Sequence, residues 1–311
     1  MSARQVSPDA RPGAHCDAPP ATADEARPLL VFAHGNGFPA GSYRVLLEQL
    51  QEHFEVLAPD MLGHARHRPV SDGWPQLLLE LDEFIERNCG SRRVLLVGHS
   101  LGGLLGLMLA AERPQRLRAL VLLDSPVVSG WRAALLWASK RSGLVRRFAP
   151  VAPALRRRQQ WPDLDAVREH FRGKTVFSAW DSRMLDDYAR AGTEPREGAR
   201  VLRFHREVEA AIYATLPHHL GRLALRRASV PIGFIGGTAS RELAMAGMRA
   251  TRRLVGRHLR WMPGGSHLFP FEQPQATAGA IVEMLRELGA LTPDAGRHLP
   301  IMPISRSDTA S

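Results

Sequence analysis

The chain has 311 residues, 44% hydrophobic and 23% charged, the balance of a globular protein that buries one sizeable core. Its net charge of +10 raises nucleic-acid binding, but lysine stands only at positions 140 and 174 and arginine carries the rest. Such a bias more often reflects a GC-rich coding sequence than a phosphate-binding surface, no nucleic-acid motif accompanies it, and nucleic acid is not expected as a partner.

Residues 1–27, rich in Ala, Pro, Asp and Arg without periodicity, read as a disordered tail. They lack the basic-then-apolar pattern of a leader, and Cys16 and Cys89 are too few for a disulfide framework, so a cytoplasmic location is the expectation. A first strand over 29–33 runs into His34-Gly35-Asn36-Gly37-Phe38-Pro39. A helix follows over 43–52, with Val45, Leu46 and Leu50 on its inner face, and then a short strand over 54–58 that ends in Pro59-Asp60-Met61-Leu62-Gly63-His64. Leu77, Leu78, Leu81, Phe84 and Ile85 fall at helical spacing between 74 and 88.

The next stretch organises the chain. Val94-Leu95-Leu96-Val97 is a buried-strand run, Gly98-His99-Ser100-Leu101-Gly102 follows, and an apolar helical run continues from 104 to 111. His99, Ser100 and the glycines interrupt what would otherwise approach a membrane-spanning length. Strand, tight turn and helix in that order force the serine at the tip into a strained backbone with its hydroxyl above the sheet edge. The Leu101 amide sits at a helix start, where it can meet a developing oxyanion.

A strand over 119–123 closes on Asp124-Ser125-Pro126. From 129 to 215 the pattern turns to helical segments with scattered aromatics and no convincing strand. Trp131, Trp137, Trp161, Phe177 and Trp180 lie there, as the core of this segment or as the wall of a pocket. Between Asp124 and Asp163 stand eight basic residues and no acidic one. This basic, amphipathic stretch suits anionic substrates or an anionic membrane surface, a solvated arginine-rich helix being the plain alternative. Strands resume over 230–235 and 259–262, the second leading to Gly264-Gly265-Ser266-His267. A helix over 275–288 precedes a Pro-rich tail, 292–311. Strands alternating with helices predict an α/β fold whose mostly parallel sheet is covered on both faces.

Four motifs in this order, His34-Gly35-Asn36, Asp60-x-x-Gly63, Gly98-His99-Ser100-Leu101-Gly102 and Gly265-Ser266-His267, resemble the α/β-hydrolase-fold enzymes with a helical cap. The resemblance covers roughly residues 28–290. It implies a core of 28–128 and 216–291 and a cap of 129–215. It also implies Ser100 as nucleophile, His267 as general base, and the Asn36 and Leu101 amides as the oxyanion hole. A serine needs an imidazole to take its proton, and a tetrahedral intermediate needs two aimed N–H donors.

Two features depart from the family pattern. Only the tail precedes the first strand, so a reduced sheet of about six strands is expected. The loop after 232–235, Gly236-Gly237-Thr238-Ala239-Ser240-Arg241-Glu242, has no Asp where many members carry the triad acid. Asp124, at the carboxyl edge of the sheet, is favoured, ahead of Glu242 and with Asp60 third.

His34 reads as a structural histidine, and His64-x-x-His67 and His218-His219 lack the carboxylate or thiolate company of a metal site. The implied activity is an esterase- or lipase-like serine hydrolase acting on a small-molecule or lipid-like ester, with neither cofactor nor metal. A carbon–carbon bond hydrolase, a thioesterase, a cofactor-free haloperoxidase and a non-catalytic ligand receptor remain alternatives on the same scaffold. The serine argues against a haloalkane dehalogenase or an epoxide hydrolase, which use an aspartate nucleophile. Oligomeric state is not legible.

Overall fold

A computed structural model describes residues 27–147, 150–223 and 229–291. The tails expected at 1–27 and 292–311 lie outside them, Arg27 excepted. Six strands form one sheet, all neighbours parallel: β1 (Leu29–Ala33), β2 (Glu55–Leu57), β3 (Val94–His99), β4 (Leu117–Leu123), β8 (Ile232–Gly237) and β9 (Leu259–Met262). Their order across the sheet is β2-β1-β3-β4-β8-β9. The central strands are buried on both sides, which is why they read as unbroken apolar runs.

Side chains nevertheless divide by parity. Leu30, Phe32, Leu95, Val97, Val121 and Leu123 join α1 (Arg44–Gln51) and the C-terminal helix Pro274–Glu287 in one core. Leu29, Val31, Ala33, Leu96, Leu120 and Leu122 face the other way, onto α2 (Pro75–Cys89) and α3 (Leu101–Glu112). Burying each such side chain contributes about 1.5–3 kcal/mol, so a polar substitution on either parity is destabilising.

Between β4 and β8 the chain departs from the sheet through α4 (Gly130–Arg141), α5 (Val151–Leu155), α6 (Leu164–Arg172), α7 (Ser182–Ala191) and α8 (Arg206–Ala214). The expectation of no strand here is corrected. Strands β5 (Gln160–Trp161), β6 (Thr193–Arg196) and β7 (Ala199–Leu202) form a small antiparallel sheet in the order β5-β7-β6. Arg196 pairs with Ala199 across a two-residue turn, Glu197-Gly198, with φ of 50° and 77°. Two left-handed residues make the turn that suits a hairpin. Its first position is Glu rather than Asn or Asp, and Pro195 sits in an edge strand, so both sequence signals are muted.

Candidate active site

Three parallel strands deliver the chemistry to one edge. The turn from β3 to α3 holds Ser100 at φ 51° and ψ −108°, a conformation costing of order 1–3 kcal/mol that only a well-packed surround sustains. The neighbouring glycines provide that surround. A Cβ on Gly98 would lie 2.4 Å from the Gly102 carbonyl carbon, and one on Gly102 would lie 2.1 Å from the Ala33 oxygen. Strand and helix therefore approach backbone to backbone, and any side chain there would push the serine out of place.

Asp124, the residue after β4, also has positive φ, 43°, and is fully buried. His267 follows β9 on a loop held by Glu272, which accepts from the Ser266 amide (2.9 Å) and from the Ser266 hydroxyl.

The three side chains meet in a line. His267 Nε2 lies 3.0 Å from Ser100 Oγ, and His267 Nδ1 lies 2.7 Å from Asp124 Oδ2. The Gly237 amide donates to Asp124 Oδ1 (2.8 Å) and the Ser240 hydroxyl to Oδ2 (2.6 Å), so the carboxylate is oriented from both sides. Burial pulls the His267 imidazole down. The hydrogen bond and charge of Asp124, helped by Glu242 and Glu272, outweigh it and leave the pKa raised above 6.5.

Glu242, in the first turn of the helix Arg241–Ala246, comes closer than its sequence position suggests, with Oε2 3.4 Å from Ser240 Oγ. Asp124, Glu242 and His267 each place one ligand atom within 4.8 Å of the others. They fit a metal poorly, because both Asp124 oxygens and His267 Nδ1 are already engaged in hydrogen bonds. Asp60 lies elsewhere, paired with Arg203 at 2.5 Å.

Asn36 is buried, its side-chain amide donating to the Glu209 carbonyl (3.0 Å). Neither the Asn36 nor the Leu101 amide donates to a protein acceptor among the described residues. His34 is buried and held near pKa 4 by desolvation, accepting from the Leu62 amide (2.7 Å) while its Nδ1–H donates to the Gly35 carbonyl (2.8 Å). It ties together the two loops that carry the first two motifs. His64 accepts from the His205 amide, and His219 packs on Gly73, each a local packing contact.

A second buried chain of bonds escaped sequence reasoning. The Gly35 amide donates to the Tyr43 hydroxyl (3.1 Å), Tyr43 donates to His99 Nδ1 (2.7 Å), and His99 Nε2–H donates to the His267 carbonyl (2.9 Å). Burial, with the nearby His267, lowers the His99 pKa to about 3, so His99 is neutral and its tautomer is set by its partners. The loop before Asn36 is thereby tied to the loop that carries His267. Only the histidine within Gly98-His99-Ser100 hinted at this. Tyr43 gave no signal.

Residues 30–280, well over half of the chain, match the Alpha/beta hydrolase family. The chain belongs to that family. Among curated relatives it is 35% identical over 125 residues to a putative carbamate hydrolase RutD of Stutzerimonas stutzeri, covering 39% of this chain and 43% of that protein. It is 30% identical over 105 residues to a pimeloyl-[acyl-carrier protein] methyl ester esterase of Proteus mirabilis, covering 33% and 39%. These alignments span less than half the length of those relatives. Over nearly its whole length the hydrolase resembles the crystal structure of E-2-(acetamidomethylene)succinate hydrolase, with a TM-score of 0.67 and 22% identity, covering 84% of this chain and 92% of that one. At that identity the likeness speaks for the fold.

Proposed function

We propose that this hydrolase cleaves carboxylic esters through an acyl-enzyme. The observation that carries the reading is the unbroken line Ser100 Oγ, His267, Asp124, with the serine on a strained turn at a helix start. His267 Nε2 takes the hydroxyl proton as Ser100 Oγ attacks the acyl carbon. Asp124 keeps the proton on Nδ1 and stabilises the imidazolium that forms. The unpartnered Asn36 and Leu101 amides receive the charge on the carbonyl oxygen. Collapse of the tetrahedral intermediate expels the alcohol, which takes the proton from His267. Water then repeats the cycle on the acyl group and frees Ser100. The methyl ester esterase among the relatives supports an ester as the bond cleaved.

The test pairs a fluorophosphonate probe with chromogenic esters graded by chain length. Wild-type protein is expected to label and turn over. Ser100→Ala is expected to do neither while keeping its melting temperature, with turnover down by about three orders of magnitude or more. A folded wild type that does not label, or a Ser100→Ala protein within tenfold of wild type, overturns the reading.

A further inference from the structure

The acid-free stretch between Asp124 and Asp163 carries eight basic residues. Two are neutralised, Lys140 by Asp72 and Arg157 by Glu209. Arg132, Arg141, Arg146, Arg147, Arg156 and Arg158 pair with no carboxylate among the described residues. Elsewhere arginines commonly do, as Arg113 and Arg116 do with Asp82, and Arg168 and Arg190 with Asp186.

Helix α4 runs through this stretch inside out. Its half-buried side presents Arg132, Ala133, Leu136, Ser139 and Lys140, whereas Trp131, Ala134, Leu135, Trp137 and Ala138 lie on the solvent side. Trp131 is 67% exposed, Leu135 60% and Trp137 50%, and no residue of α4 is buried. The turn Leu144–Arg147 packs on both α4 and α5 and continues the surface with Leu144 and Leu155. Five of the eight large apolar side chains exposed among the described residues thus lie between 131 and 155, the others being Val176, Met245 and Trp261. Scattered apolar residues on a surface are ordinary, but a contiguous stripe on one helix is not. Arginines flank it closely, Arg132 over the Trp131 ring at 4.6 Å and Arg141 over Trp137 at 5.9 Å.

A helix in water turns its apolar stripe inward, so α4 as built suits surroundings that are both apolar and anionic. The boundary between headgroups and acyl chains meets that description: tryptophans settle at headgroup depth while arginines reach phosphates. Alongside α4 opens a cleft of about 630 Å³, bounded by the helices Leu220–Leu223 and Arg249–Val255. Trp137 forms part of its wall, Arg222, Arg249 and Arg253 line it with no acidic side chain among the described residues, and it has room for a phosphate-bearing headgroup. No described helix is long and apolar enough to cross a membrane, so the contact lies in the plane of the surface. We infer that the outer face of α4, with the following turn and α5, docks on an anionic lipid bilayer.

The full chain is sedimented with vesicles of equal parts phosphatidylcholine and phosphatidylglycerol, or of phosphatidylcholine alone, at ~0.05 M and ~0.5 M salt. Binding is expected to the anionic vesicles only, with release at high salt and a blue shift of tryptophan emission on binding. Trp131→Ser with Leu135→Ser is expected to cut partitioning about tenfold or more, and Arg146→Gln with Arg147→Gln by at least about tenfold. Both pairs are expected to melt as wild type does, since the side chains are exposed. Equal binding to neutral vesicles, no binding to either, or variants that bind like wild type would each overturn the inference. So would a salt-stable dimer that Trp131→Ser with Leu135→Ser dissolves, because the stripe would then belong to a second copy of this chain.

Discussion

At the scale of residues, two carboxylates compete for one imidazole, and geometry separates their roles. Asp124 holds His267 Nδ1 directly at 2.7 Å, whereas Glu242 reaches the pair only through Ser240. Asp124→Asn is expected to lower kcat by several orders of magnitude, because an amide donor favours the wrong tautomer of His267. Glu242→Gln is expected to leave the plateau rate within a few-fold. Its effect falls on the pH profile. In the proposed mechanism His267 takes a proton only when neutral, and its pKa is raised above 6.5, so kcat/KM is expected to fall as pH drops through that raised value. Glu242 contributes to the raising, so removing its charge lowers the pKa and moves the acid limb to lower pH. An acid limb that stays put or moves upward in Glu242→Gln, measured on kcat/KM, counts against this assignment.

The proximity of Ser100, His267 and Asp124 was legible because each follows a strand of the parallel sheet at the same edge, a position that apolar runs disclose. Glu242 was less so. Its reach depends on how one short helix after Ser240 turns its first carboxylate, a rotation no sequence pattern encodes.

At the scale of elements, the relay Gly35–Tyr43–His99–His267 joins the 3-10 turn before α1 to β3 and to the loop after β9. Tyr43 and His99 are fully buried, so neither bonding group has water to fall back on. Tyr43→Phe deletes one oxygen and leaves both the Gly35 amide and His99 Nδ1 unpaired, at a stability cost of about 1–3 kcal/mol. Because the relay connects the loop that carries Asn36 to the loop that carries His267, kcat under the proposed mechanism is expected to drop about tenfold or more while KM changes little. Melting and steady-state kinetics check both halves. A rise in KM at constant kcat would show instead that Tyr43 shapes the binding site.

Separation in sequence explains why this relay went unread: Tyr43 and His99 are 56 residues apart and adjacent only because β1 and β3 are neighbours. The alternation of elements announced a parallel sheet, and the departure from the family pattern its approximate size, but neither gave the strand order. The hairpin of β6 and β7 was concealed by the Glu at its turn and by Pro195.

At the scale of the molecule, one buried ion pair within the excursion between β4 and β8 packs against the loop after β1. Arg157 Nη1 lies 2.7 Å from Glu209 Oε2, their side chains 17% and 8% exposed, and Arg157 also donates to the Tyr188 hydroxyl. The pair abuts the loop that carries Asn36. A Cβ on Gly37 would lie 2.8 Å from Glu209 Oε1 and 3.0 Å from Arg157 Nη1, and the Asn36 side chain donates to the Glu209 carbonyl. A buried pair contributes little net stability, yet losing one partner strands the other charge, at about 3–5 kcal/mol. Arg157→Met is therefore expected to lower the melting temperature markedly and to reduce kcat, since the stranded, buried Glu209 charge would draw water to the Asn36 loop. Arg157→Met combined with Glu209→Leu removes both charges, and should recover most of the melting temperature. It should recover kcat only in part, because the loop regains its neutrality but not the braced position of Gly37. Stability and turnover that return together in the double variant would mean the pair holds the fold alone and leaves the Asn36 loop to shape itself.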